Sequence, residues 1–130
     1  MNILLDTHVL LWWLADSPSL SSQARILISD TGNTIFVSVV TLWEIWLKES
    51  LGKLRLPADF EEKLAEESFE SLPLTAAQTR HVATLPWRHR DPFDRMLVAQ
   101  ALSENLTLLT ADEIIVRYGA SVRLVPSGNQ

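Results

Sequence analysis

The sequence predicts an α/β fold built on a mostly parallel sheet. Three observations point there. Short apolar, β-branched segments recur along the chain, and a helical pattern follows each of the main ones. Strands alternate with helices throughout, so the sheet is expected to be mostly parallel and covered on both faces. Third, four carboxylates stand at or just past strand-to-helix turns: Asp6, Glu44, Asp94 and Asp112. In a parallel sheet such turns open on one edge, where ligands bind.

The elements follow in order. Asn2–Leu5 is mostly apolar and reads as a buried first strand. Residues 8–15 read as a helix, broken by Asp16-Ser17-Pro18. Residues 19–29 carry Leu20, Ala24, Leu27 and Ile28 at helical spacing, and Thr31-Gly32-Asn33 stops that helix. Residues 34–37 are β-branched and aromatic, a second buried strand. Ser38 caps a helix that reaches about Ser50 before Gly52. Leu56-Pro57 opens another over residues 58–67, with an acidic face that reads as solvated. Residues 71–74 form a weak strand limited by Pro73. Thr75 with Gln78 is a capping box for a helix to about Leu85. Asp91 as N-cap and Pro92 at the first helical position start a helix to Glu104, which Asn105 stops. Residues 106–109 are a strand, Thr110 and Glu113 a second capping box, and that helix ends near Tyr118-Gly119. Residues 122–125 are the last strand. Residues 1–125 read as one domain and 126–130 as a frayed tail.

At 130 residues a chain of this kind buries roughly two-thirds of its unfolded surface, enough for a core without staples. The absence of cysteine excludes disulfides and thiolate metal sites. The apolar start is interrupted by Asp6 and lacks a basic flank, and the apolar run 9–15 is too short for a bilayer. The expectation is a soluble cytoplasmic protein. The net charge of −5 argues against generic binding to a phosphate backbone. Contact with nucleic acid would then come from a local basic surface or from metal ions. Arg88, Arg90 and Arg95 surround Asp91 and Asp94.

Each acid alone has a structural explanation. Asp6 and Asp91 cap helices, Asp94 and Asp112 lie in first turns, and Glu44 can pair with Lys48 four residues on. Together they do not. Two charges about 4 Å apart repel by roughly 4 kcal/mol at an effective dielectric near 20, more than a helix dipole returns. Glu44 also sits in the very apolar stretch from Val39 to Leu47. A set of all-oxygen ligands with few histidines suits Mg²⁺ or Mn²⁺ rather than Zn²⁺. One ion would activate water, and a pair about 4 Å apart would brace both oxygens of an in-line displacement. Of the histidines, His8 stands near Asp6 but reads as a packing residue, and His81 and His89 read as bland. Trp12, Trp13, Trp43 and Trp46 are many indoles for two helices, and the all-round apolar helix at 9–14 is expected to offer part of itself to a partner.

In this order and spacing, LLDTHVLLWWL, SVVTLWEIWLK with GKLRLP, HRDPFDRMLVAQA and LLTADEIIVRYG resemble the PIN-domain ribonucleases, and among them the VapC-type toxins of toxin–antitoxin modules. The resemblance spans nearly the whole chain. It implies a three-layer α/β/α sandwich and Mg²⁺- or Mn²⁺-dependent hydrolysis of RNA, leaving 5′-phosphate ends. It maps the catalytic acids onto Asp6, Glu44, Asp94 and Asp112, with Asp6, Asp94 and Asp112 holding metal. Glu44 would complete the site or orient the attacking water as a general base. Ser38, Asp91 and Thr110 fall beside the metal, with N-capping as their structural role. Arg88, Arg90 and Arg95 would guide the RNA backbone. Expected partners are RNA, a cognate antitoxin and a second copy of the chain, with no membrane.

Three other readings compete. A haloacid-dehalogenase-type phosphatase needs a second Asp where His8 stands, and a phospho-acceptor receiver domain needs a late Lys where none follows Lys63. A PIN-like binding partner without nuclease activity is opposed by the intact acidic set.

Overall fold

The computed structural model describes residues 1–119 and 122–125. The element order is β1 (Asn2–Leu5), α1 (Thr7–Leu14), α2 (Ser22–Ser29), β2 (Thr34–Ser38), α3 (Val39–Ser50), α4 (Phe60–Glu66), β3 (Glu70–Leu72), α5 (Ala76–Thr84), α6 (Pro92–Glu104), β4 (Thr107–Thr110), α7 (Glu113–Val116) and β5 (Val122–Leu124). The strands form one sheet in the order β3-β2-β1-β4-β5, and all four pairings are parallel. Leu4 is in register with Phe36 on one side and Leu108 on the other.

Alternation along the strands builds the layers. Ile3 and Leu5 of β1, Ile35 and Val37 of β2 and Leu109 of β4 point to one face, where α1, α2 and α4 supply Val9, Leu10, Ala24, Ile28 and Phe60. Leu4 and Leu108 point to the other, where α6 and α7 supply Leu97, Val98, Ala101 and Ile115. Helix α3 serves both cores, Ile45 packing into the first and Val40 into the second. The result is the expected three-layer α/β/α sandwich.

The strand order reverses direction between β1 and β4. In a parallel sheet that reversal splits the crossover helices apart at the carboxyl ends of the two strands and leaves a crevice. Asp6 follows β1 directly, and Thr110 closes β4. The two ends are tied by a hydrogen bond from the Asp6 amide to the Leu109 carbonyl, 3.1 Å.

Several boundaries differ from expectation for identifiable reasons. Helix α2 starts at Ser22 because Ser21 caps it, its hydroxyl accepting from the Ala24 amide, while Leu20 is held in a turn on Ser17. Strand β3 ends at Leu72, and the Pro73 carbonyl accepts from Gln100 instead of continuing the ladder. Helix α4 begins only at Phe60, after a turn closed on the Pro57 carbonyl. Asp112, not Thr110, caps α7, and α7 is a single turn. The capping box of Thr75 and Gln78 is present in full. Residues 126–130, read as a frayed tail, lie outside the described residues.

The apolar helix α1 also behaves differently. Val9 and Leu10 are buried, and Leu11, Trp12, Trp13 and Leu14 are half-buried against the first core. Trp13 Nε1 donates to Glu67 Oε1 at 2.9 Å, which gives that residue of the acidic segment a structural partner. The most exposed indoles are Trp87 at 78% and Trp43 at 61%. Trp43 packs edge-on against Phe93 of α6.

Candidate active site

Asp6 is 5% exposed. Its Oδ1 accepts from the Val9 amide at 2.8 Å, the N-cap bond of α1. Its Oδ2 accepts from Thr110 Oγ1, and the same hydroxyl accepts from the Asp112 amide at 3.0 Å. Thr110 therefore fixes Asp6 and the start of α7 together. Burial pushes the Asp6 carboxyl above the usual carboxylate range and the charge of Asp112 adds to it; the two hydrogen bonds and His8 pull the other way. His8 itself is exposed and lies beside Trp12, not in a helix–helix contact.

Glu44 is 4% exposed. Thr7 donates to its Oε1 at 2.6 Å, and Lys48 donates to its Oε2 at 2.5 Å. The pair is therefore no surface salt bridge: its carboxylate is inside, and only the ammonium reaches outward. Glu44 holds Lys48 in the charged form, and Asp91 and Asp94 contribute to the same effect. Ser38 caps α3, accepting from the Val40 amide, and donates to buried Gln100 of α6. That bond locks α3 to α6, the two helices that carry Glu44 and Asp94.

Asp91 caps α6, its Oδ1 accepting from the amides of Phe93 at 2.9 Å and Asp94 at 3.1 Å. Asp94 lies in the first turn of α6. Burial, then the charges of Asp91, Asp6 and Glu44, push its carboxyl up to about 7, with His89 opposing them. The charges that act on it thus come from the turn after β1, from α3 and from the N-cap of α6. Asp112 closes the group: its Oδ1 accepts from the Ile114 amide at 2.8 Å, and its Oδ2 faces His89 at 3.1 Å.

His89 is the residue that sequence reasoning passed over. Its Nε2 lies 3.1 Å from Asp112 Oδ2 and 3.3 Å from Asp94 Oδ2. One ligand atom from each of His89, Asp94 and Asp112 falls within 4.8 Å of the others. The only local signal was its place two residues before the cap Asp91, whose amide donates to His89 Nδ1 at 3.0 Å. Nothing in sequence spacing announces its contact with Asp112.

The arginines divide. Arg88 and Arg90 are exposed. Arg95 is 3% exposed and faces inward, so it is not placed to guide RNA. Its guanidinium donates to the carbonyls of Pro86, Val82 and Leu85 and to the Tyr118 hydroxyl, and it stacks on Trp87 with Cζ 3.7 Å from the ring centre. This arginine ties the chain before α6 to the end of α5 and to Tyr118.

The donor set fits a hard divalent cation. Buried carboxylates that raise one another's affinity for protons hold more negative charge than their protein partners neutralise, and a divalent ion relieves that. Carboxylate oxygens with one imidazole nearby favour Mg²⁺ or Mn²⁺ over soft metals. A separate groove of ≈ 310 Å³ between α3, α5 and α6, lined by Val40, Trp43, Trp87, Phe93 and Met96, carries no acid.

Comparison with known proteins agrees with this geometry. The PIN domain family model matches residues 3–120. Ribonuclease VapC22 of Mycobacterium tuberculosis is 30% identical over 115 residues, covering 85% of this chain and 87% of the relative. The fold is similar to VapBC2 from Rickettsia felis bound to a promoter DNA fragment, with TM-score 0.71, 19% identity, and 98% and 99% of the two chains covered. It is also similar to VapBC-5 from Mycobacterium tuberculosis, with TM-score 0.60, 22% identity, and 96% and 98% covered. An all-parallel five-stranded sheet with acids gathered at its switch point, a family model spanning nearly every element, and a curated relative of matching length agree: this chain belongs to the PIN-domain family, beside the VapC proteins.

Proposed function

We propose that the chain is a divalent-metal-dependent ribonuclease that hydrolyses RNA phosphodiester bonds in the cytoplasm as the toxin of a toxin–antitoxin pair. The observation that carries this reading is the geometry of the acids: ligand atoms of Asp94 and Asp112, with His89, lie within 4.8 Å of one another, and burial with the charges of Asp91, Asp6 and Glu44 pushes the Asp94 carboxyl up. The position of Asp6 after β1 and of Asp112 after β4 supports a shared acidic pocket where an α/β sheet binds its ligands.

Asp6, Asp94 and Asp112 would hold the ion, and Mg²⁺ or Mn²⁺ bound there would activate water and neutralise charge on the phosphodiester. The remaining groups serve geometry. Thr110 and the Val9 amide fix the two oxygens of Asp6. Thr7 and Lys48 fix those of Glu44, which leaves its carboxylate oriented to complete the set or to take a proton from the attacking water. Asp91 sets the start of α6 and so the position of Asp94. Arg88 and Arg90 supply exposed cations near the mouth for the RNA backbone. Similarity to chains solved in toxin–antitoxin complexes supports an antitoxin as partner, and a second copy of the chain belongs to the same proposal.

Asp6→Asn tests the assignment. Asn keeps an oxygen for the Val9 amide and so keeps the cap. Cleavage of a synthetic RNA in Mg²⁺ is expected to fall by about 10²–10³-fold or more, with an unchanged circular dichroism spectrum, and chelator is expected to stop the wild type. A folded Asp6→Asn protein that cuts at the wild-type rate removes this site from the reaction.

A further inference from the structure

The loop 86–90 is pinned from two sides. The Tyr118 hydroxyl donates to the Pro86 carbonyl at 2.9 Å. Its oxygen faces the amides of Arg88 at 3.3 Å and His89 at 3.2 Å and the Arg95 guanidinium at 3.1 Å. Arg95 holds the Pro86 carbonyl as well, at 2.9 Å. A loop beside an acidic crevice is thus braced at the Pro86 carbonyl and at the amides of Arg88 and His89, and the side chain it sends inward is His89, half-buried between Asp94 and Asp112.

The tautomer of that ring follows from its neighbours. Nδ1 receives the Asp91 amide at 3.0 Å. A backbone N–H cannot turn away, so a proton on Nδ1 would set two donors against each other. Nδ1 is therefore the bare nitrogen, and the ring proton sits on Nε2. That proton points at Asp112 Oδ2 and lies within 3.3 Å of Asp94 Oδ2. A metal needs a bare nitrogen, and the bare one here is already taken.

We propose that His89 is a positioning residue, not a ligand: from the braced loop it places its Nε2 proton between Asp94 and Asp112 and sets the spacing of the two carboxylates that receive the ion. This rests on the reading of the acids as a divalent-cation site. Groups that orient metal-binding carboxylates are typically worth about 10–100-fold in metal affinity. Tyr118 and Arg95 act one step further out, by holding the loop.

The test combines Mn²⁺ titration with long-range ¹H–¹⁵N NMR of the imidazole. Wild-type protein without metal is expected to show His89 protonated at Nε2 and bare at Nδ1, and to keep that pattern when Mg²⁺ is added. His89→Ala is expected to weaken Mn²⁺ binding by about 10–100-fold, and His89→Gln, whose amide can donate from near the Nε2 position, to recover most of the loss. A proton on Nδ1, or loss of the Nε2 proton on adding Mg²⁺, overturns the positioning role without reliance on any variant's folding. So does wild-type affinity in His89→Ala while Asp94→Asn has lost binding. If Asp94→Asn itself binds Mn²⁺ like the wild type, the cation site is what fails.

Discussion

Asp94→Asn is expected to abolish RNA cleavage and, without metal, to make the protein more stable at neutral pH. Both effects come from one cause. The folded protein holds the Asp94 carboxyl at about 7 instead of the ordinary 3.8, first by burial and then by Asp91, Asp6 and Glu44. A carboxyl whose folded value is raised destabilises the fold when it ionises. The penalty is absent below pH 4, grows as pH rises to about 7, and is complete above that. It amounts to at most roughly 4 kcal/mol, and burial pushes Asp6 in the same direction. The metal-free wild type should therefore lose thermal stability between pH 4 and pH 7. Asp94→Asn, with no charge to bury, should lose less and melt higher at pH 7.5, and Mn²⁺ should raise the wild-type midpoint but scarcely that of the variant. Cleavage should fall by about 10²–10³-fold or more. Differential scanning calorimetry across pH checks the stability half. A variant that melts lower than wild type at pH 7.5 and equally at pH 4 would show that the acids are not crowded.

Arg95→Ala should act on stability, not on RNA. The Leu85 carbonyl would lose its donor, the Pro86 and Val82 carbonyls one of theirs, and the Trp87 ring its partner. Each buried acceptor left without a donor costs about 1–3 kcal/mol, and the arginine stem also packs. A loss of about 3 kcal/mol or more is expected, lowering the melting temperature by about 10 °C. Arg88→Ala and Arg90→Ala, at exposed positions, should change stability by less than about 0.5 kcal/mol and instead weaken RNA binding with a reduced salt dependence. Urea melts and RNA titration at two salt concentrations separate the cases. If Arg95→Ala leaves stability intact and weakens RNA binding, the inward placement of this arginine is wrong.

The contrast between Arg95 and its neighbours shows what a sequence can disclose. Local chemistry was legible. Apolar, β-branched runs placed the main strands, Thr75 and Gln78 made a visible capping box, and Asp91-Pro92 marked the start of α6. The acids Asp6, Glu44, Asp94 and Asp112 could be proposed as a group because strand-to-helix turns of a parallel sheet share an edge. Direction was not legible. The arginines in HRDPFDR look alike in sequence, yet helical phase turns Arg95 toward Tyr118, a residue 23 positions later. Thr110 looked like a cap because Glu113 follows at the right spacing. In the fold its hydroxyl serves Asp6, 104 positions away, and Asp112 takes the cap. His89 was missed for the same reason: its partner Asp112 comes from another element. The cover over the indoles was not legible, because an apolar helix reads the same whether two core layers flank it or none. Helix α1 is largely covered, while Trp43 and Trp87 are open.

The most direct measurement is a crystal of the protein soaked in Mn²⁺, with anomalous scattering recorded at the manganese edge. A single acid-lined site is expected, with density against the carboxylates of Asp6, Asp94 and Asp112 on the side away from His89, and oxygen ligands at about 2.0–2.3 Å. Manganese found only at scattered surface acids, with that crevice holding solvent at saturating metal, would contradict the account.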